Sequence, residues 1–217
     1  MTTKLGNIVD IQIGYQPKEG EITSPGGAGA GIIQIKDVDQ DNDFVEHFLP
    51  NAPEYRLWIG DLSTISKDAD LSRYSVQEGD LLFLSRGSRN YCIPITPQFT
   101  QPFGNADQSP IFTYYFYRLS VKVDGVVPEY VAWFINQSGT QNRFDSLAQG
   151  SHVKMVNKTT LQNIEIPIPD LKVQRKIIDI DLLHQAEKHL HETLMHKRTQ
   201  VTEAVLRNMA WGENKER

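Results

Sequence analysis

The chain is short of the residues that stabilise or anchor secreted and membrane proteins. It has a single cysteine, Cys92, so no disulfide can form within the chain, and one thiolate falls well short of a tetrahedral zinc site. No apolar run approaches the roughly 18 residues that a membrane span needs. The first residues, Met1 to Lys4, lack the apolar stretch of a signal peptide. We therefore expect a cytoplasmic protein with no membrane association.

The chain also lacks an excess of basic residues. Its 22 lysines and arginines stand against 27 acidic residues, for a formal net charge of -5. This balance opposes binding to nucleic acid without regard to sequence, which usually rests on a basic excess. The charges are unevenly placed, because acidic residues gather at 37–46 and 61–70 and basic ones at 86–89 and 154–176. A local basic face is therefore still possible.

Motifs of the common catalytic centres are missing as well. The glycine-rich stretch 26–31 leads into a strand pattern, not into the helix that would hold a phosphate. Four of the six histidines fall in 184–196, but their pairs are five residues apart, whereas a helical metal site needs four. Lys36 and Asp37 fit no nuclease arrangement, and no G-x-S-x-G elbow or S-adenosylmethionine-binding loop is present. We predict a chain that is not an enzyme and has no metal site and no cofactor.

Residues 1–169 predict an α+β fold, a strand-rich domain with few helices. The glycine-rich residues 20–31 predict a mobile loop. One helix should begin at Pro128 and run to about Gln137, and a short one should follow Asn157 as its cap. Runs of β-branched and aromatic residues predict strands at 8–13, 32–38, 81–84, 91–95, 111–119 and 164–168.

Residues 170–217 predict one long helix. No proline or glycine occurs from Leu171 to about Asn208, Asp170 can cap the start, and Gly212 lies just past the expected end. At about 1.5 Å per residue such a helix is about 57 Å long. Its narrow apolar stripe predicts a coiled coil with a partner helix, with folding back onto its own domain as the alternative. The stripe consists of Ile180, Leu183, Leu190, Leu194, Val201 and Val205.

Polar loops next to the predicted strands are the candidates for binding DNA. Arginine pairs with guanine or phosphate and asparagine with adenine, and backbone amides before a helix can hold a phosphate. Each loop taken alone fits an ordinary solvated connection equally well. The candidate DNA-binding residues are Tyr15, Gln16, Lys36, Arg86, Ser88, Arg89, Asn90, Tyr91, Gln149, Ser151, His152 and Lys154.

The order of several segments resembles a known family. The hallmark is a strand ending in Pro167 and Pro169, followed closely by Gln174 and a long helix. This order resembles one half of the specificity subunit of type I restriction-modification enzymes, over residues 5 to 208. The segments concerned are Leu5–Gly14, Gly79–Gly87, Gly150–Ser151, Leu161–Pro169 and Gln174–Ile178.

The resemblance implies a non-catalytic subunit that reads a split site in double-stranded DNA. In such subunits a target recognition domain reads a few base pairs, and long helices pair with each other and hold methyltransferase subunits. Full-length members have two such domains and two helices, so this chain would be a half-size form that dimerises, or a truncated one. Two other functions remain open on the residues alone: a protein-binding assembly module of a defence complex, and a stand-alone nuclease.

Overall fold

The computed structural model describes residues 2–27, 29–39, 56–57, 62–65, 71–87, 90–95, 109–147 and 154–212. Its strands are β1 (Thr2–Lys4), β2 (Val9–Ile13), β3 (Ile22–Thr23), β4 (Ala30–Ile33), β5 (Val38–Asp39), β6 (Arg56–Leu57), β7 (Ser63–Ile65), β8 (Leu81–Leu84), β9 (Arg86–Gly87), β10 (Cys92–Pro94), β11 (Ile111–Phe112), β12 (Phe116–Val121), β13 (Lys154–Met155) and β14 (Glu165–Pro167). Its α-helices are α1 (Leu5–Ile8), α2 (Pro128–Asn136), α3 (Ser138–Leu147), α4 (Lys158–Gln162) and α5 (Leu171–Gly212), with 3₁₀ turns at Ile35–Asp37 and Ser72–Tyr74. This is the mixed α+β architecture with a long C-terminal helix that the sequence predicts. We call the described residues up to Pro169 the head.

A four-stranded antiparallel sheet lies at the centre of the head, in the order β10-β8-β12-β2. Strand β8 is buried along its whole length, as the apolar run 81–84 predicts. Strand β10 pairs back onto it, with Cys92 opposite Phe83 and Pro94 opposite Leu81. The strands predicted at 81–84 and 91–95 are therefore confirmed, and they pair with each other.

The two faces of this sheet pack into different cores, because successive side chains of a strand point to opposite sides. Leu81, Phe83 and Leu119 point to one face, where helices α1 to α4 cover them. Leu82 and Leu84 point to the other face, where they join residues of a second sheet, β11-β4-β7-β3. The central sheet is thus packed on both faces.

Two predicted strands are interrupted by turns. The strand predicted at 32–38 ends at Ile33, because the Asp37 carboxylate accepts a hydrogen bond from the backbone N–H of Gln34 (2.8 Å) and closes a 3₁₀ turn. The single strand predicted at 111–119 is also wrong: the Phe116 N–H donates to the Thr113 carbonyl (2.9 Å) and turns the chain from the second sheet into the central one. The predicted loop 20–31 contains β3 and the start of β4, so part of it is sheet.

The helices follow their local signals with one exception. Helix α2 begins at Pro128, and the Asn157 side chain caps α4 by accepting from the Thr160 N–H (2.8 Å). Helix α3 was not predicted, since its residues are mostly polar and include a glycine. Its one large buried side chain, Phe144, lies against Phe83 with ring centroids 5.6 Å apart. The long-range contact, and not propensity, explains this helix.

Helix α5 spans 42 residues, or about 63 Å. Asp170 caps it by accepting from the Val173 N–H (2.9 Å), as predicted. Gly212 is its last residue and does not lie beyond the end. Ile177 and Ile178 near its start pack against the core of the head. The six stripe residues from Ile180 to Val205 are between 50% and 69% exposed, so the alternative of a stripe covered by the head does not apply.

Candidate nucleic-acid interface

Loops with polar and aromatic residues meet at one end of the central sheet. Strands β2 and β8 both run antiparallel to β12, so the residues after β2, the residues after β8 and the residues before β12 lie at the same end. We call this set the polar edge. It consists of Tyr15, Gln16, Ser85, Arg86, Tyr114 and Tyr115. The sequence separates these residues by up to 100 positions, and the sheet brings them together.

Backbone hydrogen bonds join the first of these loops to the turn before β12. The Tyr15 N–H donates to the Phe112 carbonyl (2.8 Å), and the Tyr114 N–H donates to the Tyr15 carbonyl (2.8 Å). Gly14 makes this close approach possible, because a Cβ at that position would lie 2.2 Å from the Thr113 carbonyl oxygen. The backbone of Tyr15 is therefore held by main-chain hydrogen bonds.

Ser85 attaches the second loop to the same turn. Its N–H and its hydroxyl both donate to the Tyr115 carbonyl, at 2.8 and 2.7 Å. Its own carbonyl accepts from the Val156 N–H (2.9 Å). The next residues, Arg86 and Gly87, pair with Lys154–Met155 in the short sheet β9-β13. The backbone of Lys154 thus lies next to Arg86 and Gly87, which belong to residues 85–91, the segment that we call the arginine loop.

Arg86 is held against a pair of tyrosines. Its guanidinium carbon lies 5.6 Å from the centroid of the Tyr114 ring. The Tyr114 and Tyr115 rings are 4.2 Å apart at a tilt of 32°. A hydrogen bond with Tyr114 raises the pKa of Tyr115, and burial acts in the same direction. Stacking restricts the arginine before any ligand arrives, which lowers the entropy lost on binding.

A second arginine–tyrosine pair lies beside Tyr15. The guanidinium carbon of the exposed Arg73 is 4.6 Å from the Tyr74 ring centroid, and the Tyr74 ring meets the Tyr15 ring edge-on at 5.3 Å. The Tyr15 hydroxyl donates to the Glu21 carboxylate (2.8 Å), and this bond is the main reason that the pKa of Tyr15 is raised. Two cationic groups therefore flank the junction between Tyr15 and Tyr114.

Sequence reasoning missed Arg73, Tyr74, Tyr114 and Tyr115. Tyr114 and Tyr115 were assigned to a strand, although two adjacent large aromatics on one strand would face opposite sides. That alternation was the signal that one of them reaches the surface. Arg73 carries no comparable signal, because its relation to Tyr15 exists only through the fold.

Two of the predicted DNA-binding residues have their side chains in the interior. The Asn90 amide is buried and donates to the Leu84 carbonyl (3.0 Å), while its backbone carbonyl accepts from Gln141 (2.6 Å). Tyr91 is 2% exposed and belongs to the core between the two sheets. We therefore leave both out of the contact surface, because a group buried in this way cannot reach a duplex.

The structure gives less information on the other predicted DNA-binding residues. The Lys36 ammonium donates to the Ser63 hydroxyl on β7 (2.8 Å), and Gln16 is exposed directly after Tyr15. Lys154 is described through its backbone alone. The predictions on Ser88, Arg89, Gln149, Ser151 and His152 lie outside the described residues.

The described residues offer little to metal or thiol chemistry. Within the described ranges no three histidine, cysteine, aspartate or glutamate side chains come together as a metal site would require. Cys92 is buried, and burial raises the pKa of its thiol far above the usual range. Of the helices described, none is both long and apolar enough to cross a bilayer.

Comparison with known proteins identifies the family. A model described as the type I restriction modification DNA specificity domain matches residues 1–202. The type I restriction enzyme MjaIX specificity subunit of Methanocaldococcus jannaschii is 26% identical over 178 residues, covering 72% of this chain and 39% of that protein.

Solved structures show the same fold. The HsdS subunit from Thermoanaerobacter tengcongensis matches with a TM-score of 0.53 at 16% identity, over 92% of this chain and 39% of that one. A chain from a structure on complex assembly and conformational transition of the type I R-M system matches with a TM-score of 0.54 at 18% identity, over 96% and 43% of the two chains. The chain spans about two fifths of the length of these relatives. With the family model matching most of its residues, the chain belongs to the type I restriction-modification DNA specificity family.

Proposed function

We propose that this chain is the sequence-specific DNA-reading component of a type I restriction-modification system, and that its polar edge contacts the duplex. The observation that carries the proposal is the meeting of Arg86, Tyr114 and Tyr15 at one end of a rigid sheet. The family supports DNA as the ligand. We propose that the protein binds its DNA target in the cytoplasm, where the chromosome is.

The groups at the polar edge suit both parts of DNA recognition. A guanidinium can grip guanine with two hydrogen bonds or pair with a phosphate, and tyrosine hydroxyls can donate to phosphate oxygens. Arg86 at the polar edge and Arg73 in the neighbouring 3₁₀ turn place two positive charges close to this end of the sheet, in a chain of net negative charge. Such a protein would depend on a few well-placed contacts and would bind random DNA weakly.

The second part of the proposal concerns assembly through helix α5. Its stripe is exposed, and an amphipathic helix of this length gains stability by burying such a stripe against another helix. We propose that the partners are a second copy of this chain and the methyltransferase subunit of the same system. A two-fold dimer would present two equal polar edges to a split, symmetric site.

The chemistry in this proposal belongs to partner chains. The specificity chain selects the site, and methyl transfer or cleavage takes place in the subunits that it brings there. Residues 1–169 would be the recognition unit and residues 170–217 the assembly unit.

The decisive test is the substitution Arg86→Ala, with Arg175→Ala as the matched control. Both remove one exposed or half-exposed positive charge, but Arg175 lies on the first turns of α5, at the other end of the head. Binding is measured on duplex DNA over a range of salt concentrations. We expect Arg86→Ala to weaken binding by about 1–3 kcal/mol and to lower the salt slope by about one if the contact is to phosphate.

The outcomes separate the competing functions. Equal affinity in Arg86→Ala and the parent would remove Arg86 from the interface. Absence of DNA binding by the parent, alone and with its methyltransferase, would favour a protein-binding assembly module. Metal-dependent cleavage by the isolated chain would point to a nuclease.

A further inference from the structure

One amide is buried where the long helix leaves the head. Gln174 is completely inaccessible to solvent, although the residues before and after it on α5 are exposed. A buried glutamine loses its hydration, so its position is favourable only if its polar atoms find partners. All of them do.

The partners of Gln174 are backbone groups from two connections. Its Oε1 accepts from the Val127 N–H (2.9 Å). Its Nε2 donates to the carbonyls of Gly125 and Pro169, both at 2.8 Å. Gly125 and Val127 belong to the turn between β12 and α2, whereas Pro169 belongs to the link between β14 and α5.

These three bonds are directional, whereas the apolar contacts at this place are not. Ile177 and Ile178 pack against the core, but apolar side chains tolerate sliding and rotation better than hydrogen bonds do. The Asp170 cap holds only its own helix. Gln174 joins α5 to the turn between β12 and α2 through its side chain.

The junction lies at the end of the central sheet opposite the polar edge. The polar edge precedes β12, whereas the Gly125 turn follows it, and β12 spans six residues, or about 20 Å. A rotation of about 10° at the start of a helix about 63 Å long moves its far end by about 11 Å. A small change in the orientation of α5 at Gln174 therefore causes a large displacement of the other end of the helix.

We propose that Gln174 is a positioning residue whose amide fixes the tilt and rotation of α5 against the head. Its consequence for DNA rests on the proposed function: the angle of α5 sets how far apart two polar edges meet the duplex, and so the spacer between the half-sites that they read.

The first experiment measures this angle without DNA. Spin labels are placed at Glu129→Cys on α2 and Glu203→Cys on α5, both exposed positions, and the distance distribution between them is recorded. Cys92 is buried and does not compete for the label. Labelled chains are diluted into an excess of unlabelled chains, so that only distances within one chain contribute.

Gln174→Met, which keeps the length of the side chain and loses its hydrogen bonds, is the test variant. Gln185→Met is the matched control, because Gln185 bonds to Asp181 on the same helix (2.6 Å). We expect a broader distribution with a mean shifted by several ångströms in Gln174→Met, and the parental distribution in Gln185→Met. An unchanged distribution in a folded Gln174→Met protein overturns the proposal. If that variant does not fold, Gln174→Asn, whose amide is one methylene too short, decides by the same criterion.

The second experiment compares duplexes whose half-sites are separated by spacers that differ by single base pairs. Gln174→Met should retain the parental affinity for a single half-site and lose most of its preference among spacers. Unchanged spacer preference contradicts the role in DNA reading. If the parent binds no duplex, the proposed function fails, while the label distances still decide whether Gln174 positions the helix.

Discussion

The head and the long helix differ in the solvent exposure of their large apolar residues. In the head, Phe83, Leu161 and their neighbours are fully buried by the second sheet or the short helices. Along α5, large apolar residues from Ile180 to Trp211 stay exposed. Among the described residues, the head therefore contains its own packing partners, whereas most of the helix has none. This difference fits the proposal that the head serves recognition and the helix serves assembly.

The largest effect should come from breaking the close approach at Gly14. In Gly14→Val, the new side chain would meet the Thr113 carbonyl at 2.2 Å or less, and the backbone there cannot yield without separating the two sheets. We expect a loss of about 3 kcal/mol or more in the free energy of unfolding, measured with urea. Gly139→Ala is the control, since a Cβ there meets nothing within 4 Å. Equal stability of the two variants would mean that the sheets are not joined as tightly as described.

A pair of leucines tests the comparison directly. Leu161→Ala removes a side chain that is 0% exposed and should cost about 3 kcal/mol of stability. Leu190→Ala removes one that is 67% exposed and should change the unfolding of the head by less than about 0.5 kcal/mol. The same variant should weaken association with a second copy or with the methyltransferase by about 1–2 kcal/mol, measured by analytical ultracentrifugation. A chain that is monomeric with and without its methyltransferase, and indifferent to Leu190, would remove the assembly role of α5.

A smaller effect should separate structural from recognition residues within the head. Asn90→Ala deletes the donor to the Leu84 carbonyl and should cost about 1–2 kcal/mol of stability. Because the side chain is buried, DNA affinity should stay at the parental value under conditions where the variant is folded. Asn7→Ala, at an exposed amide on α1, should change neither quantity. A loss of affinity in folded Asn90→Ala would return Asn90 to the contact surface.

The parts of the fold that local rules decide were predictable. Pro128 at a helix start, Asn157 as a cap, the apolar run 81–84 and the proline-free stretch after Pro169 each gave the observed element. These signals act over a few residues, so the sequence carries them directly. The turn at Gln34–Asp37 was missed because a side-chain bond to the backbone competes with the strand pattern, and the pattern alone does not show which prevails.

The candidate site was less predictable than the fold. The arginine loop was recognised from its composition, but composition did not show that Asn90 and Tyr91 turn inward while Arg86 stays half-exposed. Tyr114 reaches the site because β2 and β8 run antiparallel to β12, and Arg73 reaches it because Tyr74 packs against Tyr15. Sites built from several strand ends depend on the register of a sheet, and no short window of the sequence contains that information.

The way in which the polar edge is attached has a consequence for the evolution of new target sites. Tyr15, Tyr114 and Tyr115 are tied to their neighbours through main-chain atoms, and side-chain identity matters little for those bonds. Mutation can therefore replace the side chains of the polar edge while the strands beneath them stay paired. Under the proposed function, such a scaffold would allow the recognised DNA sequence to change while the fold stays the same.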